Sequence, residues 1–151
     1  MERILNGLMA GAAGTAALNT VTYLDMLARG RASSSVPADT VDRLVDTVGG
    51  EFGQDDQGQA RRTAAGALVG YGAGLGIGTL YGTVEPTVRR LPLPVAGLLV
   101  GAVAMAGSDV PATITGATDP RRWTLSSWLA DVVPHAVYGV VTVAVYRALR
   151  R

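Results

Sequence analysis

Apolar positions along the chain gather into four long runs separated by polar joints, covering about 4–28, 63–85, 91–110 and 125–146. None alternates with the two-residue period of a half-buried strand. At about 1.5 Å rise per residue, each run suffices to cross a hydrocarbon core of roughly 30 Å as a helix. From Thr63 to Val84 there is no charged residue at all. The pattern predicts an all-α fold, a polytopic membrane four-helix bundle forming a single membrane domain over 1–151. Within the polar connection 29–62, Val41, Leu44, Val45 and Val48 recur at helical spacing among Asp39, Asp42, Arg43 and Asp46. That stripe predicts a short amphipathic helix over about 37–48, lying on the bundle or bilayer surface or docking a partner. Ser33–Ser35 and Pro37 supply its start and Gly49–Gly50 its end. Ser108, Asp109 and Pro111 break the third run, which makes 112–120 an irregular or re-entrant stretch. The first run continues well past any signal-cleavage point, so it reads as a retained span.

The small residues inside the runs are placed as finely as the runs themselves. Gly66, Gly70, Gly74, Gly78 and Gly82 stand four apart in one file, with Gly72 and Gly76 on another face. Glycine costs a water-exposed helix about 1 kcal/mol relative to alanine, whereas in lipid it lets backbones approach closely. The file therefore reads as a helix-packing stripe, a glycine zipper. Gly7 and Gly11 in the first run and Gly97 and Gly101 in the third form similar pairs. Gly7-Leu8-x-x-Gly11-Ala12 recurs as Gly97-Leu98-x-x-Gly101-Ala102, which hints at two helical hairpins of one design.

Composition changes this picture little. The chain has 151 residues, 48% of them hydrophobic, and a formal net charge of +1. With no cysteine, disulfides and thiolate chemistry are excluded. Scattered arginines at near-zero net charge give no electrostatic footprint for nucleic acid. Trp123, Trp128 and Tyr146, with Arg147, Arg150 and Arg151, fit interfacial anchors. Arginines near the run ends are balanced between the two sides, so orientation stays open.

Ionisable residues inside a span cost about 2.5–3.5 kcal/mol each on insertion scales and face the protein interior or water. With both termini on side A, Asn19, Thr22 and Asp25, then Asp109, then Asp131 and His135 all fall toward side B. Asp131 and His135 are one turn apart on one face, with Pro134 between them. Asn19, Asp25, Asp109, Asp131 and His135 are thus candidates for a polar, water-accessible vestibule; the alternative is a set of clasps fixing helix register. Glu85 with Arg89 and Arg90 reads as loop chemistry on side A. One histidine and dispersed aspartates match no metal-ligand spacing. Gly70-Tyr71-Gly72-Ala73-Gly74 lacks the lysine, the preceding strand and the acidic partner of a nucleotide loop. No serine sits in a nucleophile elbow. No catalytic residues, metal or cofactor are expected.

Gly70-Tyr71-Gly72-Ala73-Gly74 with Tyr81-Gly82, and the later His135-x-x-Tyr138-Gly139, resemble the YagU-like family of small bacterial inner-membrane proteins. The resemblance covers about Ala64 to Tyr146 and implies a four-helix, multi-pass fold in the bacterial cytoplasmic membrane, without implying a reaction. The function expected from the residues is permeation of a solute, ion or proton. The alternative is a non-catalytic accessory subunit packed by glycine stripes against itself, as a homo-oligomer, or against a larger membrane complex. A membrane enzyme acting on lipid is the remaining class. The bilayer is the partner in each case.

Overall fold

A computed structural model describes residues 1–150 and is helical throughout, with no strand among them; Arg151 lies outside the described residues. The helices are α1 (Glu2–Arg29), α2 (Val36–Thr47), α3 (Asp56–Val88), α4 (Leu93–Ile114) and α5 (Leu125–Leu149), with a 3-10 turn at Pro120–Arg122 before α5. Three of them, α3, α4 and α5, are long and apolar enough to cross a membrane. The fourth expected span, α1, is not among them although it has 28 residues. Its glycines and threonines, with Asn6 and Asn19, lower the mean hydropathy of the helix.

The helix ends follow local chemistry. Asp55 caps α3 by accepting from the Gly58 amide at 2.8 Å, so the helix begins well before Thr63. Thr124 caps α5, its hydroxyl accepting from the Ser127 amide at 3.2 Å. Two helices run past prolines expected to stop them. Pro86 lies two residues before the end of α3, so Glu85 belongs to the helix and not to a loop. Pro111 lies three before the end of α4, which carries the chain to Ile114. Each proline withholds one amide from the ladder, and the Gly82 carbonyl, four residues before Pro86, accepts from the Tyr146 hydroxyl instead. Gly116, at φ 76°, then turns the chain.

Glycine sets how the long helices meet. Antiparallel α1 and α3 approach backbone to backbone: a Cβ built on Gly7 would stand 2.7 Å from the Gly78 carbonyl oxygen, and one on Gly78 2.5 Å from Gly11 Cα. Gly82 faces the Arg3 carbonyl oxygen in the same way, at 2.5 Å. On the far side of α1, Gly14 is pressed against Tyr138 and Thr142 of α5. Antiparallel α4 and α5 repeat the device, with Gly97 against Val140 and Gly101 against His135 and Ala136. The recurring Gly-Leu-x-x-Gly-Ala segments thus make the same kind of contact in each helix pair.

Tyrosines fasten what glycines bring together. Tyr138 and Tyr146 of α5 reach past α1 and donate to the α3 carbonyls of Gly74 and Gly82, at 2.7 and 3.0 Å. Tyr81 packs edge-on against Tyr146 with ring centroids 5.3 Å apart. These rings form the core with Ala10, Ala96, Val100, Ala104 and Val143. Large apolar side chains point outward instead: Leu24, Leu68, Leu98, Val103, Ile114 and Leu129, from all four long helices, are each more than half exposed. A small, partly polar interior within an apolar exterior inverts the usual soluble pattern.

Helix α2 lies across the side B ends of α3 and α4. Gly66 sits under its first turn, where a Cβ would meet the Ala38 amide nitrogen at 2.8 Å. Arg62 pairs with Asp42 at 3.2 Å, and Arg43 donates to the Thr115 carbonyl at 3.0 Å. Of the amphipathic stripe only Val41 is buried; Leu44 and Val48 are exposed.

Candidate functional site

The sequence placed five polar residues toward side B, and the structure divides them. Asp109, Asp131 and His135 come together between α4 and α5. The close approach at Gly97, Gly101 and Gly139 makes this possible, because it holds the two helices near enough for side chains one or two turns further on to meet. Nδ1 of His135 stands 2.9 Å from the Asp131 carbonyl oxygen and 3.2 Å from its Oδ1. Both are acceptors, so Nδ1 carries a hydrogen and Nε2 is left free to bind or release a proton. The Asp109 carboxyl lies beside Asp131 and within Coulomb range of His135. Asp131 Oδ2 is shielded from solvent and has no hydrogen-bond partner. The His135 side chain is 15% exposed and that of Asp131 23%.

Six and ten residues of α5 separate Asp131 and His135 from Leu125, roughly 9 and 15 Å along the axis. Pro134, buried next to His135, withholds the bond its amide would give to the Ala130 carbonyl.

The other two candidates sit apart. Asn19 lies across from Tyr71 on α3, amide to hydroxyl at 3.4 Å. Asp25 is engaged by Arg29 and Arg31, each at 2.5 Å. Arg29 also donates to Ser126 Oγ, linking the last turn of α1 to the first of α5. In the joint after α4, outside the long helices, Asp119 accepts from Arg121 Nε at 2.9 Å, and that guanidinium holds the carboxyl below its ordinary range. Trp123 donates to Thr118 Oγ1 at 2.8 Å and meets Trp128 edge-on. Among the described residues, no group of three or more His, Cys, Asp or Glu side chains is arranged to hold a metal ion.

Sequence reasoning missed the opposite end. Glu85 is only 2% exposed, and its carboxylate is paired to Arg150 at 2.8 Å. A cavity of about 580 Å³ opens beside this pair, where the start of α1 meets the ends of α3 and α5. The available signal was register: Glu85 lies one turn after Tyr81 and three residues after Gly82, on the face that those residues bury.

No family model, curated protein or solved structure matches this chain. Its functional reading rests on its own geometry.

Proposed function

We propose that the chain is a multi-pass protein of the bacterial cytoplasmic membrane in which α1, α3, α4 and α5 all cross as a four-helix bundle. In this reading α1 enters lipid with its neighbours, because its glycine face is covered by α3 and α5 and its outer face carries Ile4, Leu8, Tyr23, Leu24 and Leu27. The function we assign is proton or ion permeation through the side B half of the bundle, without a chemical reaction. One observation carries it: Asp109, Asp131 and His135 converge between two helices whose outer faces are apolar, and Asp131 keeps an unpartnered, sheltered oxygen. Ionisable groups inside a span are costly to place there and mark ion or proton pathways. A proton arriving from side B is taken up within this group, and His135 Nε2 is the atom able to pass it inward.

Reconstitution into liposomes with an entrapped pH dye tests the reading. The wild-type protein is expected to dissipate an imposed pH gradient, with flux at least tenfold lower in Asp131→Asn and His135→Gln variants that remain helical. Flux equal to that of empty liposomes refutes it. Glycine packing supports the second reading, an accessory subunit; co-purification with one partner in fixed stoichiometry, without flux, would establish it.

A further inference from the structure

The side A cavity has the chemistry of a receptor for a phosphate-bearing group, and nothing in the permeation reading uses it. Its wall brings together Arg3 from the first turn of α1, Arg89 at the end of α3 and Arg150 at the end of α5, with Glu2 and Glu85 as the acids. Arginines thus outnumber carboxylates. Glu85 is already committed to Arg150: its Oε2 accepts from Nη1 at 3.0 Å, and Oε1 lies 2.8 Å from the same nitrogen. Arg3 and Arg89 line the cavity without an ion pair to any described residue, and Glu2 is the one lining carboxylate not already held by an arginine. Guanidinium matches phosphate oxygens in bidentate geometry, which is why it recurs wherever such groups are bound.

Size and depth narrow the ligand. A space of about 580 Å³ exceeds the needs of an inorganic ion and accommodates a phosphodiester with its substituents. Leu5, Pro86 and Leu149 supply apolar wall beside the arginines. The position at the helix ends is where headgroups meet a spanning bundle. We infer that this cavity binds a phosphate monoester or diester, clamped by Arg3 and Arg89 and by the Arg150 that Glu85 orients.

Native mass spectrometry of the full chain from detergent tests this, with three probes added in turn: phosphatidylglycerol, diacylglycerol and inorganic phosphate. A phosphate site retains phosphatidylglycerol one to one and diacylglycerol at least tenfold less. The doubly substituted Arg3→Gln/Arg89→Gln protein loses that retention at least tenfold, whereas Arg121→Gln/Arg122→Gln at the other end keeps it. Both arginine pairs are on the surface, and circular dichroism confirms that each variant stays helical. Displacement of the lipid by millimolar inorganic phosphate identifies a free phosphate compound as the ligand; persistence of the lipid identifies a headgroup. Equal retention of diacylglycerol, or undiminished retention by Arg3→Gln/Arg89→Gln, overturns the inference. So does failure of both phosphate-bearing probes to bind.

Discussion

Alanine substitutions along the glycine file of α3 should change sign within two turns of one helix. At Gly78 an added methyl meets only backbone: Gly11 Cα and the Gly7 carbonyl oxygen at 2.5 Å and the Gly11 nitrogen at 2.6 Å. None of these atoms can swing away as a side-chain tip can. Restoring an ordinary carbon contact of roughly 3.5 Å requires α1 and α3 to part by about 1 Å. Overpacking of this kind costs about 1–3 kcal/mol, against a helix-propensity gain of up to about 1 kcal/mol. Gly78→Ala is therefore expected to destabilise by about 1–2 kcal/mol. At Gly70, Gly72 and Gly76 the same methyl meets nothing within 4 Å. There only the propensity term remains, and each substitution should be neutral or stabilising by up to about 1 kcal/mol. Reversible unfolding in mixed decyl maltoside and dodecyl sulfate micelles, followed by circular dichroism, measures the difference. If Gly72→Ala proved as damaging as Gly78→Ala, or Gly78→Ala as stable as wild type, the close approach of α1 and α3 would be refuted.

Three further outcomes follow from other contacts. Tyr138→Phe and Tyr146→Phe each remove one hydrogen bond to a Gly74 or Gly82 carbonyl, at about 0.5–1.5 kcal/mol apiece. Two helical turns apart, the losses should add to within about 0.5 kcal/mol in the same unfolding assay. Arg150→Gln should destabilise by about 3 kcal/mol, because it strands the enclosed Glu85 carboxylate. Glu85→Gln should cost clearly less, since the freed Arg150 side chain is already 40% exposed; the reverse order in chemical unfolding would contradict the geometry. For Asp119, the Arg121 hydrogen bond lowers the folded-state pKa below the ordinary 3.8. Its contribution is therefore complete above that value and lost as pH falls through the lowered one. Tryptophan emission from Trp123 and Trp128 should stay constant through pH 4 and change only in stronger acid, whereas Asp119→Asn should show no such acid step.

Helical periodicity was legible because apolar runs longer than about 20 residues leave few alternatives. The partners of each glycine were not. Four residues advance a helix by about 400°, so a file with that spacing drifts roughly 40° per step and about 160° from Gly66 to Gly82. Gly66 accordingly lies under α2 while Gly74, Gly78 and Gly82 face α1, and Gly70 meets neither. The pairing of Asp131 with His135 could be read from their one-turn spacing, and the joining of Asp109 to them from depth. Asp25 was assigned to the vestibule, because the sequence alone does not show that Arg29 and Arg31 turn back onto it as ion-pair partners. Glu85 was misplaced because the proline after it suggested a loop, whereas α3 continues through Pro86 to Val88.

The two tyrosine pegs, eight residues apart on α5 and eight apart on α3, bear on how this molecule can deform. They tie α3 and α5 in register at two depths with α1 wedged between, so these three helices shift as one block. The facing edges of α3 and α4 have no such rivets among the described residues: they line an apolar groove from Ile77 to Val103, and Gly107 meets only the tip of Ile77. The short stretch Arg89–Pro92 joins them like a strap. That seam is therefore where the bundle has the fewest polar ties to break on opening, and Tyr81 lines it.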